Sequence, residues 1–285
     1  MTYNEVSHYQ DDTVLAAQLN ALTQSIWGIT VLDGAPSDYV PFSMQTENEI
    51  VANVCVGQFD VVVNGIALPA SMIQTVLTHE SHRRKGLIRA LFAPVQAHVA
   101  NTTGRTFFTA DQDKIDFYQQ FGYQHRPIID YFRWQQTPTS VNRDTLTTVK
   151  LLNEQERLKF EDAARHRTPV SDVFGFENKP WLLLWFVRHF LSANLYYWEA
   201  RNVYLILRID NGRLDLLDIV GQRIPGWSEL LPVLPVAEAT EVRSYFVPDK
   251  LHVQADPVYS ETDRFFFDAA FPLPELICLP ETQRG

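Results

Sequence analysis

Cysteine is nearly missing from this chain: Cys55 and Cys278 are two residues among 285. They lie far apart, near opposite ends, and form neither a metal-ligand spacing nor a disulfide framework. The expectation is a reducing compartment, the cytoplasm. Positive charge is also scarce, with 24 Lys and Arg against 34 Asp and Glu and a net charge of −10. That balance excludes a general nucleic-acid binder, which needs a basic face. It suits a soluble enzyme, and an acidic surface favours a cationic substrate. Long apolar runs are absent. The most apolar stretch, Trp181 to Phe190, breaks at Arg188-His189 and falls well short of the roughly 20 residues of a membrane span. The opening M-T-Y-N-E-V lacks the basic and apolar regions of a secretory leader.

What is present is enough for packed cores. Hydrophobic residues make up 46% and aromatics 12%, which excludes disorder, and the length accommodates two domains. Asp11-Asp12-Thr13 reads as a cap for a helix running to Gly28, with Val14, Leu15, Leu19 and Leu22 at helical spacing. A linker holding Pro36 and Pro41 follows. Strands are expected over 49–59, 60–63 and 71–78, with Asn64-Gly65 as a hairpin-type turn. Next come a helix over 84–101, bent or broken at Pro94, a short strand over 106–110, a short helix over 113–121 and a strand over 128–134. Gln135 to Arg143 reads as a linker.

The order then partly repeats. A strand is expected over 147–152, helices over 153–167 and 181–193, and two strands around Asn211-Gly212. Further strands fall over 241–246 and 264–267. The expected fold class is therefore α/β with a mixed sheet, in two units over residues 1–135 and 144–285. Trp181, Trp185, Phe186 and Phe190 read as the core of the second unit.

The stretch Thr75 to Leu91, T-V-L-T-H-E-S-H-R-R-K-G-L-I-R-A-L, carries the chemistry. An apolar strand ends in the basic turn Arg83-Arg84-Lys85-Gly86, and a helix begins at Leu87 with Leu87, Ala90, Leu91 and Val95 on its apolar face. Taken alone, such a cluster is usually solvated surface. Between a strand and a helix N-terminus it becomes an anion site, because free backbone N–H groups, cations and a permissive glycine meet there. His79-x-x-His82 has a metal-type spacing, but it lies at a strand end and turn without a third ligand, so no metal is expected. His82 instead orients the loop.

Arg83-x-x-Gly86 after an apolar strand resembles the acetyl-CoA pyrophosphate loop of GCN5-related N-acetyltransferases (GNAT). The usual pattern places Gly or Ala two residues after the glycine, and here that residue is Ile88. His82 to Arg89 is similar to the variant in the enhanced intracellular survival (Eis) type enzymes. So are the Val63 to Ala70 hairpin and Tyr118-Gln119-Gln120-Phe121-Gly122-Tyr123. The resemblance is specific over about residues 40 to 135 and implies two GNAT-like domains in tandem. It also implies acetyl-CoA as cosubstrate, held by Val76, Leu77 and Thr78 along the pantetheine arm and by Arg83, Arg84, Gly86, Leu87 and Ile88 around the pyrophosphate. Lys85 adds charge, and Asp113 stands where a serine often lies near the cofactor.

Tyr118 matches the family's general acid, and a phenol is a suitable donor to a leaving thiolate. A core aromatic is the plainer reading of the same residue. Glu47, Glu49 and the terminal Gly285 are the candidates for the base, or for binding a cation. In the second unit Arg223-Ile224-Pro225-Gly226 has the Arg and Gly spacing, but with Pro225 and Trp227 it does not read as a phosphate cradle. That unit is therefore expected to shape the substrate cleft without a cofactor.

The expected activity is direct acetyl transfer to a primary amine, on a small molecule or a lysine, with neither nucleic acid nor membrane as partner and homo-oligomerisation left open. Two other readings remain: an acyl-CoA-binding or sensing protein without turnover, and an interaction protein with a degenerate site.

Overall fold

A computed structural model describes residues 2–135, 145–151, 153–235 and 239–284. Most of the expected linker, from residue 136 on, and Gly285 lie outside the described residues. The first half runs β1 (Asn4–Ser7), α1 (Thr13–Trp27), β2 (Tyr39–Gln45), β3 (Ile50–Val63), β4 (Ile66–Thr78), α2 (Leu87–Asn101), β5 (Thr106–Asp111), α3 (Ile115–Gln119) and β6 (Gln124–Trp134). The second half runs β7 (Thr147–Thr148), α4 (Glu154–Arg165), β8 (Phe174–Glu177), α5 (Trp181–His189), β9 (Leu195–Trp198), β10 (Val203–Asp210), β11 (Arg213–Val220), α6 (Trp227–Leu230), β12 (Glu241–Ser244) and β13 (Ala255–Phe267).

Local rules account for much of this. Asp12 accepts the N–H groups of Val14 at 2.9 Å and Leu15 at 3.1 Å, capping α1, and Gly28 ends the helix in the left-handed region. Asn64 and Gly65 both have positive φ, the geometry of a two-residue hairpin between β3 and β4. The expected break between residues 59 and 60 does not occur. β3 is one strand, and β4 begins at Ile66 rather than at 71. α2 starts only at Leu87 and continues through Pro94.

β2 occupies the segment expected as a linker around Pro41. The proline is tolerated because β1 stops at the Ser7↔Phe42 pair, so no ladder N–H is needed from residue 41 on that side. β1, β8 and β9 are short, and their sequences carry no alternation long enough to read.

Among the described residues the strands form one sheet, in the order β1-β2-β3-β4-β5-β13-β6-β12-β11-β10-β9-β7, with β8 attached to β3. The decisive feature is β13. It comes from the far end of the chain, yet lies antiparallel between β5 (Phe266↔Phe108) and β6 (Phe266↔His125). In return β6 pairs with β12 through Phe132↔Ser244. The sheet thus crosses the expected division between residues 135 and 144, and each half completes the other. Phe266 is fully buried with Phe92, Phe108 and Tyr118 in the first-half core.

The C-terminal segment is clamped to the second half by a buried pair. Arg167 donates to both carboxylate oxygens of Asp218, at 2.6 and 3.0 Å, and Thr282 Oγ1 donates to the same carboxylate at 2.7 Å. Desolvated charges need such pairing, and of the guanidinium nitrogens only Arg167 Nε is left without a partner among the described residues.

Candidate active site

β4 and β5 run parallel but pair only at Ser71↔Thr106 and Met72↔Phe107. Beyond Met72 they splay, because β4 carries a bulge. Asn53 opposes Leu77 and Cys55 opposes Gln74, so Val54 of β3 faces Thr75 and Val76 together. Thr75 takes φ 52°, a strained region for a β-branched residue.

A buried polar chain holds the strain. Asn53 Nδ2 donates to the Thr75 carbonyl at 2.9 Å, Ser43 Oγ donates to Asn53 Oδ1 at 2.8 Å, and Tyr9 OH meets Ser43 Oγ at 2.5 Å. Tyr39 OH meets Thr75 Oγ1 at 2.6 Å. Asn53 and Ser43 are both fully buried, where each polar group needs a partner.

The splay opens a cavity of about 360 Å³ lined by residues 73–76 of β4, residues 108–111 of β5, Trp27, Lys114, Tyr118 and Asp263. Val76 lies on its wall. Leu77 does not. Its side chain is buried on the other face of the sheet among Leu19 and Ile50, as strand alternation requires, so only its backbone is available. Thr78 ends the strand, and its carbonyl accepts Arg83 Nε at 3.3 Å.

The loop after β4 begins with one helical turn, Glu80–His82. Arg83, Arg84 and Lys85 are exposed. Arg84 and Gly86 have positive φ, and Gly86 is the N-cap of α2 without a side-chain cap. The first N–H groups of a 15-residue helix therefore face outward beside three cations, Leu87 buried beneath and Ile88 packed against the core. His82 is buried, with Nδ1 at 3.0 Å from Tyr3 OH. Burial first, then Lys85 and His79, lower its pKa, keeping it neutral. It ties the loop to the start of the chain. No group of metal-ligating side chains occurs among the described residues.

Tyr118 lies at the cavity floor, 5% exposed, with its ring against Phe108 and Phe266. Burial, and then the charge of Asp111, hold its pKa well above the ordinary phenol value, so it is protonated at neutral pH. Asp113 does not line the cavity. It is exposed and pairs with Lys114 at 2.5 Å. Glu47 and Glu49 are exposed in the turn between β2 and β3 and line neither this cavity nor the next.

That second cavity, of about 220 Å³, adjoins the first and shares Trp27, Gln74 and Thr75 with it. Its other wall is α5, through Trp181, Trp185, Phe186 and Phe190. These aromatics were expected inside the second unit. Phe186 does pack on the second-half cluster of Leu183, Val187 and Tyr204, but Trp181 and Trp185 pack against the first-half cluster of Leu19, Tyr39 and Leu77, and Phe190 is 53% exposed. The buried face of α5 is Leu182, Leu183 and Val187.

Sequence reading missed Trp27, Gln74, Thr75 and Asp263 as lining residues. The bulge left no sequence signal, and Asp263 arrives on a strand placed only by the tertiary fold. In the second half Arg223 pairs with Glu229, and α6 is a single turn starting at Gly226.

Residues 39–126 match the family model described as an acetyltransferase (GNAT) domain. No curated protein matches the sequence. Solved structures share the fold over nearly the whole chain. Eis1 from Mycobacterium abscessus is 12% identical with a TM-score of 0.59, covering 93% of this chain and 73% of its own. A probable N-acyltransferase from Enterococcus faecalis V583 is 13% identical at 0.58, covering 93% and 72%. A GCN5-related N-acetyltransferase from Kribbella flavida is 12% identical at 0.58, covering 93% and 71%. The mixed α/β architecture is therefore the tandem GNAT-like fold, and no helix among the described residues is long and apolar enough to cross a membrane.

Proposed function

Residues 39–126 belong to the GNAT acetyltransferases, and from that premise we propose that the chain moves an acetyl group from acetyl-CoA to a primary amine by direct attack. The observation that carries this reading is the open edge of β4. Past Met72 its backbone has no partner on β5, the gap is lined by Gln74, Thr75 and Val76 on one side and Tyr118 on the other, and β4 itself runs on to Thr78 just before the basic loop at Arg83–Gly86. An extended pantetheine amide chain fits such an edge by adding hydrogen bonds as a strand would. The residues present fit the donor at both ends, with exposed cations and free helix N–H groups for phosphates and a strand-lined slot for the thioester.

In this reading Val76 and Thr78 offer backbone groups to the pantetheine arm, with Leu77 between them. Arg83, Arg84, Lys85 and the N–H groups of Gly86, Leu87 and Ile88 hold the pyrophosphate. Asp113 has no part beyond its pair with Lys114. A β4 N–H beyond the bulge stabilises the oxyanion. As the amine nitrogen bonds to the acetyl carbon, the carbon–sulfur bond breaks. Tyr118 gives its proton to the leaving sulfur and recovers one from the acylated nitrogen. Residues 1–135 would hold the cofactor, and residues 144–285 would close the cleft while binding none. Acetyl-CoA as donor accords with the cytoplasmic compartment expected from the cysteines.

Calorimetry with acetyl-CoA tests the cofactor assignment. Wild type is expected to bind in the micromolar range, and Arg84→Ala to bind at least tenfold more weakly, about 1.4 kcal/mol. Failure of wild type to bind at millimolar acetyl-CoA sinks the reading.

A further inference from the structure

The second cavity tells what the amine is attached to. Six aromatic residues contribute to it: Trp27, Tyr39, Trp181, Trp185, Phe186 and Phe190. The single charged lining residue is Arg284, whose Nη1 lies 3.1 Å from Asp130 Oδ1 and whose Nη2 donates to the Ile129 carbonyl at 3.0 Å. No carboxylate lines this cavity among the described residues, although the chain as a whole is acidic. Within this cavity the additional charges of a polycation would meet Arg284 and, among the described lining residues, no counter-charge. The carboxylates Asp111 and Asp263 line the first cavity instead.

The polar groups that are present sit at the junction with the first cavity. Gln74 is 6% exposed, lines both cavities, and its Oε1 is buried without a hydrogen-bond partner among the described residues. Trp181 Nε1, in the same wall, is likewise unpaired. Gln74 Oε1 lies over Gly57 of β3 rather than open to the cavity, so Gln74 shapes the wall and offers no acceptor to a ligand. The aromatic faces suit a flat apolar body by stacking and area burial.

We propose that the acceptor is a primary amine carried on an aryl body, an arylalkylamine in chemical class, rather than a polyamine or an aminoglycoside-like polycation. The aryl group lies among Trp27, Trp185 and Phe190, and the amine passes the shared wall at the Thr75 bulge into the first cavity, facing the acetyl group. This inference rests on the acetyl-transfer reading and goes further only in naming the acceptor.

Thiol release from saturating acetyl-CoA tests it, with phenethylamine and tryptamine compared against spermidine and butylamine. The arylalkylamines are expected to show kcat/KM at least tenfold above the other two. Phe190→Ala, at a half-exposed position, and Trp185→Ala are expected to raise KM for phenethylamine about tenfold while leaving butylamine nearly unchanged. Acetyl-CoA binding, followed by calorimetry in the same variants, is expected to stay the same. Equal or better turnover of spermidine, or an equal KM change for both amines in Phe190→Ala, overturns the aryl assignment and leaves the acetyltransferase reading standing. Acetyl-CoA binding without turnover of any of the four amines also overturns it. Absence of acetyl-CoA binding by wild type removes both.

Discussion

Tyr118 concentrates the residue-scale argument. As a core aromatic it would only fill space between Phe92, Phe108 and Phe266. Its place on the wall of the cavity opened by the β4 splay is what the proposed acid role requires, and burial keeps the phenol protonated over the whole neutral range. Tyr118→Phe keeps the ring and removes the proton. The expected outcome is a fall in kcat of about 10²–10⁴ with acetyl-CoA affinity unchanged by calorimetry. Unchanged turnover would return Tyr118 to packing alone and pass the acid role to solvent. Spacing alone favoured a core aromatic here, and the resemblance over Tyr118 to Tyr123 is what singled the residue out. Gln74 and Trp27 were not legible, because a glutamine in a strand and a tryptophan near a helix end carry no chemical signature until another element faces them.

At the scale of the element, β4 is decided by its bulge. Strain at Thr75 is maintained by Asn53, whose side chain bonds the Thr75 carbonyl from the neighbouring strand. Asn53→Ala removes the side-chain donor to that carbonyl and leaves Ser43 with Tyr9 as its partner in a dry interior. The expected destabilisation is about 1–3 kcal/mol, read from urea midpoints, with weaker acetyl-CoA binding as the slot between β4 and β5 narrows. A destabilised variant that bound acetyl-CoA normally would show that the bulge is not what opens the slot. Sequence alone marked this strand as apolar and placed its end at Thr78. It could not show which of its residues breaks the ladder, since that depends on the register with β3. The α2 start behaved differently, because Gly86 is the residue type that tolerates the left-handed cap.

The whole molecule is organised by strand exchange. β13 fills the gap between β5 and β6, and β6 extends the second half at β12. Residues 1–135 expressed alone would expose an unpaired β5 edge and the apolar site of Phe265, Phe266 and Phe267. We expect that fragment to aggregate, and light scattering after co-expression with residues 136–285 to show a soluble complex. A monomeric, cooperatively folding 1–135 fragment would contradict this.

The tyrosines give a second molecular prediction. Burial raises the pKa values of Tyr9, Tyr39, Tyr118 and Tyr123 above 10.0. The unfolded chain releases these protons near pH 10 while the folded chain keeps them. Their contribution to stability is complete below that pH and is lost as pH rises toward the folded values. Each adds a slope of up to about 1.4 kcal/mol per pH unit. Urea midpoints should therefore fall steeply above pH 10, and a flat profile to pH 11 would show these phenols are solvated.

The sequence by itself determined the elements whose signals are local: the Asp12 cap, the Asn64-Gly65 and Asn211-Gly212 turns, the strand leading into Arg83–Gly86, and the helix after it. These depend on a few neighbouring residues and on periodicity, so they survive any tertiary arrangement. Only the tertiary structure decided what completes the first sheet, where β4 parts from β5, and that α5 turns Trp181 and Trp185 toward the first half rather than inward. Each of those is a pairing between residues tens to hundreds of positions apart. Chain order does not encode such pairings, and only the burial of both partners selects them.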